Sequence, residues 1–358
     1  MLPTIKKIDL GLALPVLFLS AVGLVGIASA APKLFPLQAV WLVFGVLLAA
    51  LIIYFDPRPL VNHRLFVLSI YFFSVALIVA TLIFAPTIRG SKSWLTLGPV
   101  QFQTSEFAKV ALIIILSYFF AKRHIGIAHL KNILIPAFYA LLPAALIMAE
   151  PDMGTALIIL GIFVGYLFVS GIKPRHVFIG LLFFSAAFAW SWNNFLADYQ
   201  KERVIGLFNP EQDPLGRNYN VIQSKVAIGS GGMWGKGFRQ GTQVQLGFLP
   251  ESGADFILPA IMEEWGFFGG LLIIAAFSIL LLRLTYLGLA SGNNFFKLFS
   301  LGTMLVLLLH FFFNIGSASG LFPVVGVPLP FVSYGGSNLI INFILLGIVQ
   351  SLAIKSSY

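Results

Sequence analysis

The sequence predicts an all-α membrane protein with about ten transmembrane helices and one large extracytoplasmic loop between helices 7 and 8. Hydrophobic residues make up 59% of the 358 residues and charged residues only 10%, whereas a soluble domain carries about 25% charged residues. A protein core cannot bury so much apolar surface, so lipid must be the solvent for most of the chain. Ten apolar runs are long enough to cross a bilayer, and the polar stretch 197–254 separates the seventh from the eighth.

Each predicted helix is a run of roughly 17 to 25 apolar residues, the length that spans about 30 Å of hydrocarbon. In order, the runs cover residues 10–31, 37–55, 65–85, 105–121, 131–149, 154–172, 176–196, 256–287, 298–318 and 336–354. The eighth is longer than a span requires and contains Glu263 and Glu264, which predicts a tilted or only partly immersed helix. Pro136, Pro143 and Pro259 predict kinks.

The distribution of Lys and Arg predicts that both termini are cytoplasmic. With the N-terminus inside, the short outer loops hold only Lys33, Arg89 and Lys92, as the positive-inside rule requires. The long loop carries further cations, but long loops cross the membrane regardless of charge. We therefore expect one polytopic domain, residues 1–358, that contains 197–254 as an extracytoplasmic loop. The chain has no cysteine, which excludes thiol chemistry.

The acidic residues sort to the opposite face from the cations. Most lie at or near the outer side: Glu106, Glu150, Asp152, Asp198, Glu202, Glu211, Asp213, Glu251 and Asp255. An ionisable group at membrane depth is costly, so it usually faces a polar cavity or a partner. The sequence therefore predicts one polar cavity that opens to the outside. No internal repeat is evident, which disfavours an inverted-repeat transporter.

Asp255 ends the polar stretch, at the start of the next apolar helix. One interpretation is a helix N-cap that accepts backbone N–H bonds. The other is a general base beside a water-filled cavity at the membrane surface. The two are compatible, because a helix N-terminus also favours the ionised carboxylate.

Glu106 and Lys109 lie three residues apart in the segment TSEFAK, so they share a helix face and can form an ion pair. Such a pair inside a membrane helix is costly unless it is well hydrogen-bonded or used. Either the two residues neutralise each other for insertion, or they line the cavity and Lys109 provides a positive field for an anionic substrate.

Weaker patterns lie in the other outer segments. Trp94 is either an interfacial belt residue or a platform for a sugar ring or a lipid headgroup. Asp152, before a helix that begins near Gly154, is best interpreted in isolation as a cap. The Pro- and Gly-rich stretch 320–338, which includes Ser333, is tolerated at membrane depth only if it lines a cavity or packs on protein.

The middle of the long loop places glycines among Lys225, Lys236 and Arg239. Glycine backbone N–H groups and these cations could bind an anion; alternatively, the glycines form turns between short interfacial helices. No Walker spacing is present, which disfavours a nucleotide loop. His310 and Asn314 share one helix face, where a lone histidine is more often a packing residue than a ligand.

Five segments in fixed order resemble one family closely. They read RGSKSWLTLGPVQFQTSEFAK, EPDMGTAL, NPEQDPLGRNYNVIQSKVAIGSGGMWGKGF, GTQVQLGFLPESGADFILPAIMEEWGF and GVPLPFVSYGGSN, and they cover about residues 89 to 338. The chain thus resembles the SEDS family (shape, elongation, division and sporulation). IQSK before AIGSGG, and GTQ followed by FLPE, are similar to its elongation branch rather than its division branch.

The resemblance implies an enzyme of the bacterial inner membrane that polymerises lipid II during cell elongation. Lipid II is a disaccharide-pentapeptide on undecaprenyl pyrophosphate, and the product is a β-1,4-linked glycan strand. The family's TDF motif carries its catalytic aspartate; here it reads Ala254-Asp255-Phe256, with the aspartate present and the threonine absent. An α-linked pyrophosphate becomes a β bond, so the reaction inverts and Asp255 is predicted to be the general base.

The leaving pyrophosphate requires positive charge. The candidates are Arg89, Lys109, Arg203, Arg217, Lys225 and Lys236, or a divalent cation such as Mg or Mn. One hypothesis is that Asp255, Asp152 and Glu106 together hold such a metal. The other candidates for substrate contact are Trp94, Glu106, Asp152 and Ser333.

Cross-linking is expected to come from another protein, because the sequence shows no periplasmic domain that could carry a transpeptidase site. The resemblance implies a class B penicillin-binding protein transpeptidase as partner, with the elongation machinery and membrane lipid; no nucleic-acid partner is expected. Two other functions stay open. A flippase for lipid-linked precursors predicts alternating access and a site near the bilayer midplane. A non-catalytic scaffold for the transpeptidase predicts that Asp255 is replaceable.

Overall fold

The computed structural model describes residues 8–87, 91–97, 100–122, 131–172, 174–194, 201, 205 and 218–356. These residues are almost entirely helical, which confirms the predicted all-α membrane architecture. Within the described part of the chain, 8 helices are long and apolar enough to cross a membrane, and the apolar helix Met153–Val169 is slightly shorter. Each of the ten predicted spans coincides with a helix.

The elements follow the predicted order. They are α1 Leu10–Ala30, a 3-10 turn Pro32–Leu34, α2 Phe35–Phe55, α3 Arg58–Val61, α4 Arg64–Phe84, β1 Trp94–Leu97, β2 Val100–Gln103, α5 Thr104–Ala121, α6 Lys131–Ala149, α7 Met153–Val169, α8 Pro174–Asn194, α9 Tyr219–Ser230, α10 Thr242–Gln245, α11 Ile257–Ala290, α12 Asn294–Ser319 and α13 Gly336–Ser356. The antiparallel strand pair was not predicted; it aligns Trp94 with Gln103 just before α5.

Polar caps set several helix ends. Asp9 accepts a hydrogen bond from the backbone N of Leu12 at the start of α1, and Asn293 caps α12 in the same way. These side chains satisfy N–H groups that have no partner within the helix. The helix α12 ends at Gly320, whose φ of 74° is a left-handed conformation that favours glycine.

The helix α5 lies at the centre of the core. Its residues 108–117 are all buried, and it packs against α4, α6, α12 and α13. The helix α2, in contrast, buries only Gln38 and Gly45 and packs mainly on α13. A side chain at Gly45 would meet the ring of Phe343. A glycine thus permits the close helix approach that is common in membrane proteins, while the opposite side of α2 carries exposed apolar residues.

The long helix α11 is interrupted once, at Gly266, where φ is 71° and ψ is −169°. A Cβ at this position would lie 2.4 Å from the backbone N of Gly235, so the break accommodates a neighbouring segment of the chain. The predicted kink at Pro259 is wrong. Pro259 lies in the first turn of α11, where the missing N–H of proline costs no helical hydrogen bond.

Candidate active site

Asp255 lies in a turn, residues 251–256, that leads into α11 and is half-buried. The N-cap of α11 is Phe256, one residue later. The interpretation of Asp255 as the N-cap is therefore wrong, because Phe256 occupies that position.

Three hydrogen bonds from other segments hold this turn. The Ser333 hydroxyl donates to the carbonyl oxygen of Ala254 at 2.6 Å, and the Tyr334 backbone N–H donates to that of Gly253 at 2.8 Å. The side-chain amide of Asn314 donates to the carbonyl oxygen of Asp255 at 3.0 Å. Because α12 and the 321–335 segment both donate hydrogen bonds to the turn, the position of the Asp255 backbone is fixed from two sides.

Glycine faces the Asp255 carboxylate across the turn. A Cβ at Gly326 would lie 3.8 Å from Asp255 Oδ2, and Gly326 has a φ of 70°, which disfavours other residues. On its other side the same segment touches α7, because a Cβ at Gly154 would lie 2.4 Å from the carbonyl oxygen of Val325. The 325–327 segment thus separates Asp255 from the start of α7.

Asn314 bridges the two backbones that form the site. Its amide nitrogen donates to the carbonyl oxygens of Asp255, at 3.0 Å, and Val327, at 2.9 Å. Two carbonyl acceptors require the NH₂ group here, which fixes the orientation of the amide. The side chain is buried, and its oxygen has no hydrogen-bond partner among the described residues.

A buried network of hydrogen-bonded polar side chains contacts the segment that holds the Asp255 turn. Lys109 Nζ lies 2.7 Å from Glu106 Oε1 and 2.7 Å from His310 Nε2. An ammonium group can only donate, so Nε2 is the acceptor and Nδ1 carries the proton; Nδ1 lies 3.0 Å from the carbonyl oxygen of Pro328. The other Glu106 oxygen accepts from Asn338 at 3.1 Å. We call Glu106, Lys109, His310 and Asn338 the core network.

The predicted ion pair of Glu106 and Lys109 is therefore present. Lys109 is 0% exposed and Glu106 2%, so neither side chain reaches solvent in this structure. The core network gives both groups hydrogen-bonded partners, which offsets the cost of burial. Direct contact of either residue with a substrate stays a prediction.

Asp152 is the N-cap of α7, as its sequence context predicts. It accepts from the backbone N of Thr155 at 3.0 Å and from the Gln103 amide at 2.9 Å. Its neighbour Glu150 is buried. Burial, with repulsion from Asp152, raises the pKa of Glu150 to about 8. A neutral carboxylic acid therefore lies next to the cap at neutral pH.

The glycine-rich segment 231–250 packs directly on α11. Lys236 Nζ lies 2.7 Å from Glu263 Oε1, and the same carboxylate accepts from the backbone N–H groups of Gln243 and Val244 at 2.9 and 3.2 Å. A Cβ at Gly235 would lie 2.2 Å from the carbonyl oxygen of Glu264. Close packing explains the glycines, and the charge of Lys236 is paired. We call the Lys236–Glu263 pair with its backbone donors the loop clamp.

The remaining predicted site residues are dispersed. Trp94 is half-buried in β1. Lys225 is exposed on α9 and lies over Gly320 at the end of α12. Ser333 is buried, and its hydroxyl also accepts from the backbone N of Leu329 at 2.9 Å. Arg89, Arg203 and Arg217 lie outside the described residues.

The hypothesis that Asp255, Asp152 and Glu106 jointly hold a metal is wrong for this arrangement. Across the described ranges no group of three or more Asp, Glu, His or Cys side chains could hold a metal ion. Glu106 is bound to Lys109, and Asp152 is bound to Gln103. A divalent cation that enters with a substrate stays a prediction.

Sequence reasoning missed several residues that build the site. The sequence places Asn314 on one helix face with His310 but predicts no role for it, and it predicts none for Gly326, Asn338 or Gln38. Gln38 Nε2 donates to the carbonyl oxygen of Ser333 at 3.2 Å. The available signal was a polar side chain within an apolar helix, which usually has a partner.

The chain is similar to known proteins along most of its length. A family profile described as cell cycle protein, for FtsW, RodA and SpoVE, matches residues 7–358. Peptidoglycan glycosyltransferase MrdB of Escherichia coli (strain K12) is 41% identical over 285 residues, which cover 79% of this chain and 76% of that protein.

Solved structures are also similar. One chain, from a peptidoglycan synthase complex that coordinates polymerization and crosslinking, has a TM-score of 0.84 at 34% identity and covers 98% of each chain. The Rod shape determining protein RodA of Thermus thermophilus has a TM-score of 0.72 at 30% identity, with 97% of this chain and 96% of that chain covered.

Proposed function

Because this chain belongs to the FtsW/RodA/SpoVE family of cell cycle proteins, we propose that it is a peptidoglycan glycosyltransferase that polymerises lipid II. The relative MrdB carries that enzyme name and is 41% identical. The proposed product is a β-1,4-linked glycan strand, and the proposed role is growth of the cell wall during elongation.

Asp255 is the proposed general base. The 4-hydroxyl of the acceptor GlcNAc loses its proton to the Asp255 carboxylate while its oxygen attacks C1 of the donor MurNAc. The bond from C1 to the pyrophosphate oxygen breaks, and undecaprenyl pyrophosphate leaves with the electron pair. Attack opposite the leaving group inverts the configuration at C1, which requires one base on the acceptor side.

The observation that best supports Asp255 as the base is the set of hydrogen bonds that hold its turn in place. Its backbone is gripped by Ser333, Tyr334 and Asn314, whereas glycine stands opposite its carboxylate oxygen at position 326. A backbone that is held from two sides suits a base that must meet a bulky sugar hydroxyl in a defined direction.

The structure reduces the number of cations that are candidates to bind the leaving pyrophosphate. Lys109 and Lys236 are each paired with a glutamate at 2.7 Å, so their net field on an anion is small. Lys225 is exposed and forms no ion pair with the described residues. We favour Lys225, with Arg89, Arg203 and Arg217, as the cations that meet the pyrophosphate, alone or with Mg or Mn.

The proposed orientation puts both termini in the cytoplasm and Asp255 on the extracytoplasmic side. Arg283 Nη2 lies 2.6 Å from Asp9 at the start of α1, and Ser29 near the end of α1 donates to Glu264. The helices α1 and α11 therefore run antiparallel. Asp255, just before α11, lies on the side opposite the start of α1, in agreement with the Lys and Arg distribution.

The proposed partner is a class B penicillin-binding protein, which would cross-link the strands. The similar chain in a peptidoglycan synthase complex that coordinates polymerization and crosslinking supports this pairing.

Lipid II polymerisation by purified protein, with and without the transpeptidase, tests the assignment. Asp255→Asn removes the base but keeps the size of the side chain, and we expect a rate about 10²–10⁴-fold lower than wild type. The matched control is Glu251→Gln, an exposed carboxylate in the same turn, which should polymerise at the wild-type rate. Wild-type activity of a folded Asp255→Asn protein would contradict a base at this position.

A further inference from the structure

The segment 231–250 exposes large apolar side chains although it packs firmly on the protein. They are Met233, Trp234, Phe238, Leu246 and Phe248, and Trp234 is 81% exposed. The loop clamp and the glycine contacts hold the backbone that carries them. A fixed backbone that presents several apolar side chains outward marks a surface that something apolar covers.

Backbone hydrogen bonds fix the level of this segment along α11. The N–H groups of Phe267 and Phe268 donate to the carbonyl oxygens of Gly232 and Met233 at 2.9 and 3.3 Å. The rings of Trp234 and Phe268 lie 4.8 Å apart between centroids. Trp234 therefore sits at the level of residue 268 of α11.

The ion pair of Arg283 with Asp9 marks one edge of the hydrocarbon layer, because charges avoid its interior. Residues 268 and 283 lie in the same uninterrupted part of α11. The 15 residues between them rise about 22 Å at about 1.5 Å per residue. The hydrocarbon layer is about 30 Å thick, so the level of Phe268 falls about 8 Å inside its opposite edge.

The helix α1 gives a second measure from the same ion pair. From Asp9 to Ala28 it rises about 28 Å, so Ala28 lies near the opposite edge. The Arg239 guanidinium donates to the carbonyl oxygen of Ala28 at 2.9 Å. Arg239 is therefore at headgroup level, where lipid phosphates are available, while Trp234 is at the level of the acyl chains.

We propose that residues 233–248 form a membrane-inserted element whose apolar side chains enter the extracytoplasmic leaflet, with Arg239 among the lipid phosphates. The occupant of this surface is bilayer lipid. The surface is continuous with the lipid-facing side of α11, where Trp265, Phe267 and Leu272 are exposed. An arginine above a band of apolar and aromatic side chains is the pattern of interfacial membrane elements.

Insertion would also determine how far the candidate active site lies from the plane of the lipid phosphates. The element ends at Phe248, seven residues before Asp255, and Leu249 between them is buried. Anchoring at the acyl boundary would hold the Asp255 turn close to the plane of lipid phosphates. The insertion itself does not depend on the proposed enzymatic activity, so it can be tested separately.

The absence of cysteine allows a direct test in liposomes without any partner protein. A nitroxide label is attached to Trp234→Cys or Leu246→Cys, and its accessibility to oxygen and to a water-soluble nickel complex is measured. Glu251→Cys provides the aqueous reference and Leu272→Cys on α11 the hydrocarbon reference. Labels at 234 and 246 should prefer oxygen, at a depth of about 5–10 Å below the headgroups.

Two results would overturn the proposal. Labels at 234 and 246 with the nickel accessibility of position 251 would place the segment in water. Aqueous labels that become protected only when the transpeptidase is added would make the surface a protein interface instead. Size-exclusion profiles that match wild type establish that the variants are folded, so either result is decisive.

Discussion

The core network and the loop clamp each pair a buried glutamate with a lysine at 2.7 Å, but they do so in different surroundings. In the core network Lys109 is 0% exposed, and its members are side chains of three helices, with the Pro328 carbonyl oxygen as a further partner of His310. In the loop clamp Lys236 is 26% exposed, and two of the donors to Glu263 are backbone N–H groups. The first joins helices to one another, whereas the second fastens a loop to a helix.

This difference distinguishes two ways of supporting the Asp255 turn. The core network reaches Asp255 through Pro328, in the segment that also carries Ser333. The loop clamp holds the chain that leads into Asp255 from the other side. Loss of the first should disturb the helix assembly, and loss of the second should loosen only the segment 231–250.

The largest effect is expected from one half of the core pair. Lys109→Met leaves the Glu106 carboxylate buried without its cation, which costs about 3–5 kcal/mol. We expect a large fall in the thermal unfolding midpoint of the detergent-solubilised protein. Glu106→Gln with Lys109→Met removes both charges and should recover most of the loss. A double variant as unstable as Lys109→Met would show that the charge imbalance is not the cause.

The sequence predicts the ion pair but not the site that it supports. Glu106 and Lys109 share a helix face at a spacing that sequence alone reveals, and the spans follow from apolar length. His310, Asn338 and Pro328 come from distant segments, so their meeting depends on how the helices pack.

The position of the break in α11 also depends on a tertiary contact. Pro259 is the residue that a local rule selects, but it falls in a turn where proline is tolerated. Gly266 breaks the helix because Gly235 of another segment must approach its backbone. Only the tertiary contact distinguishes the two positions.

A smaller, local effect is expected from the loop clamp. Lys236→Met leaves Glu263 with its donors from Gln243 and Val244. It removes the Lys236 hydrogen bonds to Ser230, Thr242 and Glu263. The charge-assisted bond to Glu263 contributes about 1.5–3 kcal/mol before solvent screening and less after it. Hydrogen exchange should accelerate in residues 231–250 by about tenfold for each 1.4 kcal/mol. The unfolding midpoint should change far less than in Lys109→Met. An equal fall in both variants would remove the distinction between the two pairs.

Glu150 sharpens the comparison because it is a buried carboxylate that forms no ion pair with the described residues. Its pKa is raised from 4.5 to about 8, so the folded state binds its proton more tightly than the unfolded state. The stability therefore falls as pH rises from about 4.5 to about 8, by at most about 1.4 kcal/mol per pH unit.

Glu150→Gln should abolish this dependence, since an amide does not titrate. Unfolding midpoints measured from pH 5 to pH 8.5 should coincide with wild type at the acidic end and exceed it at the alkaline end. Glu251→Gln, on an exposed carboxylate, should keep the wild-type pH profile. The same slope in wild type and Glu150→Gln would mean that Glu150 is ionised in the folded protein. It would then need a compensating cation, as Glu106 and Glu263 do.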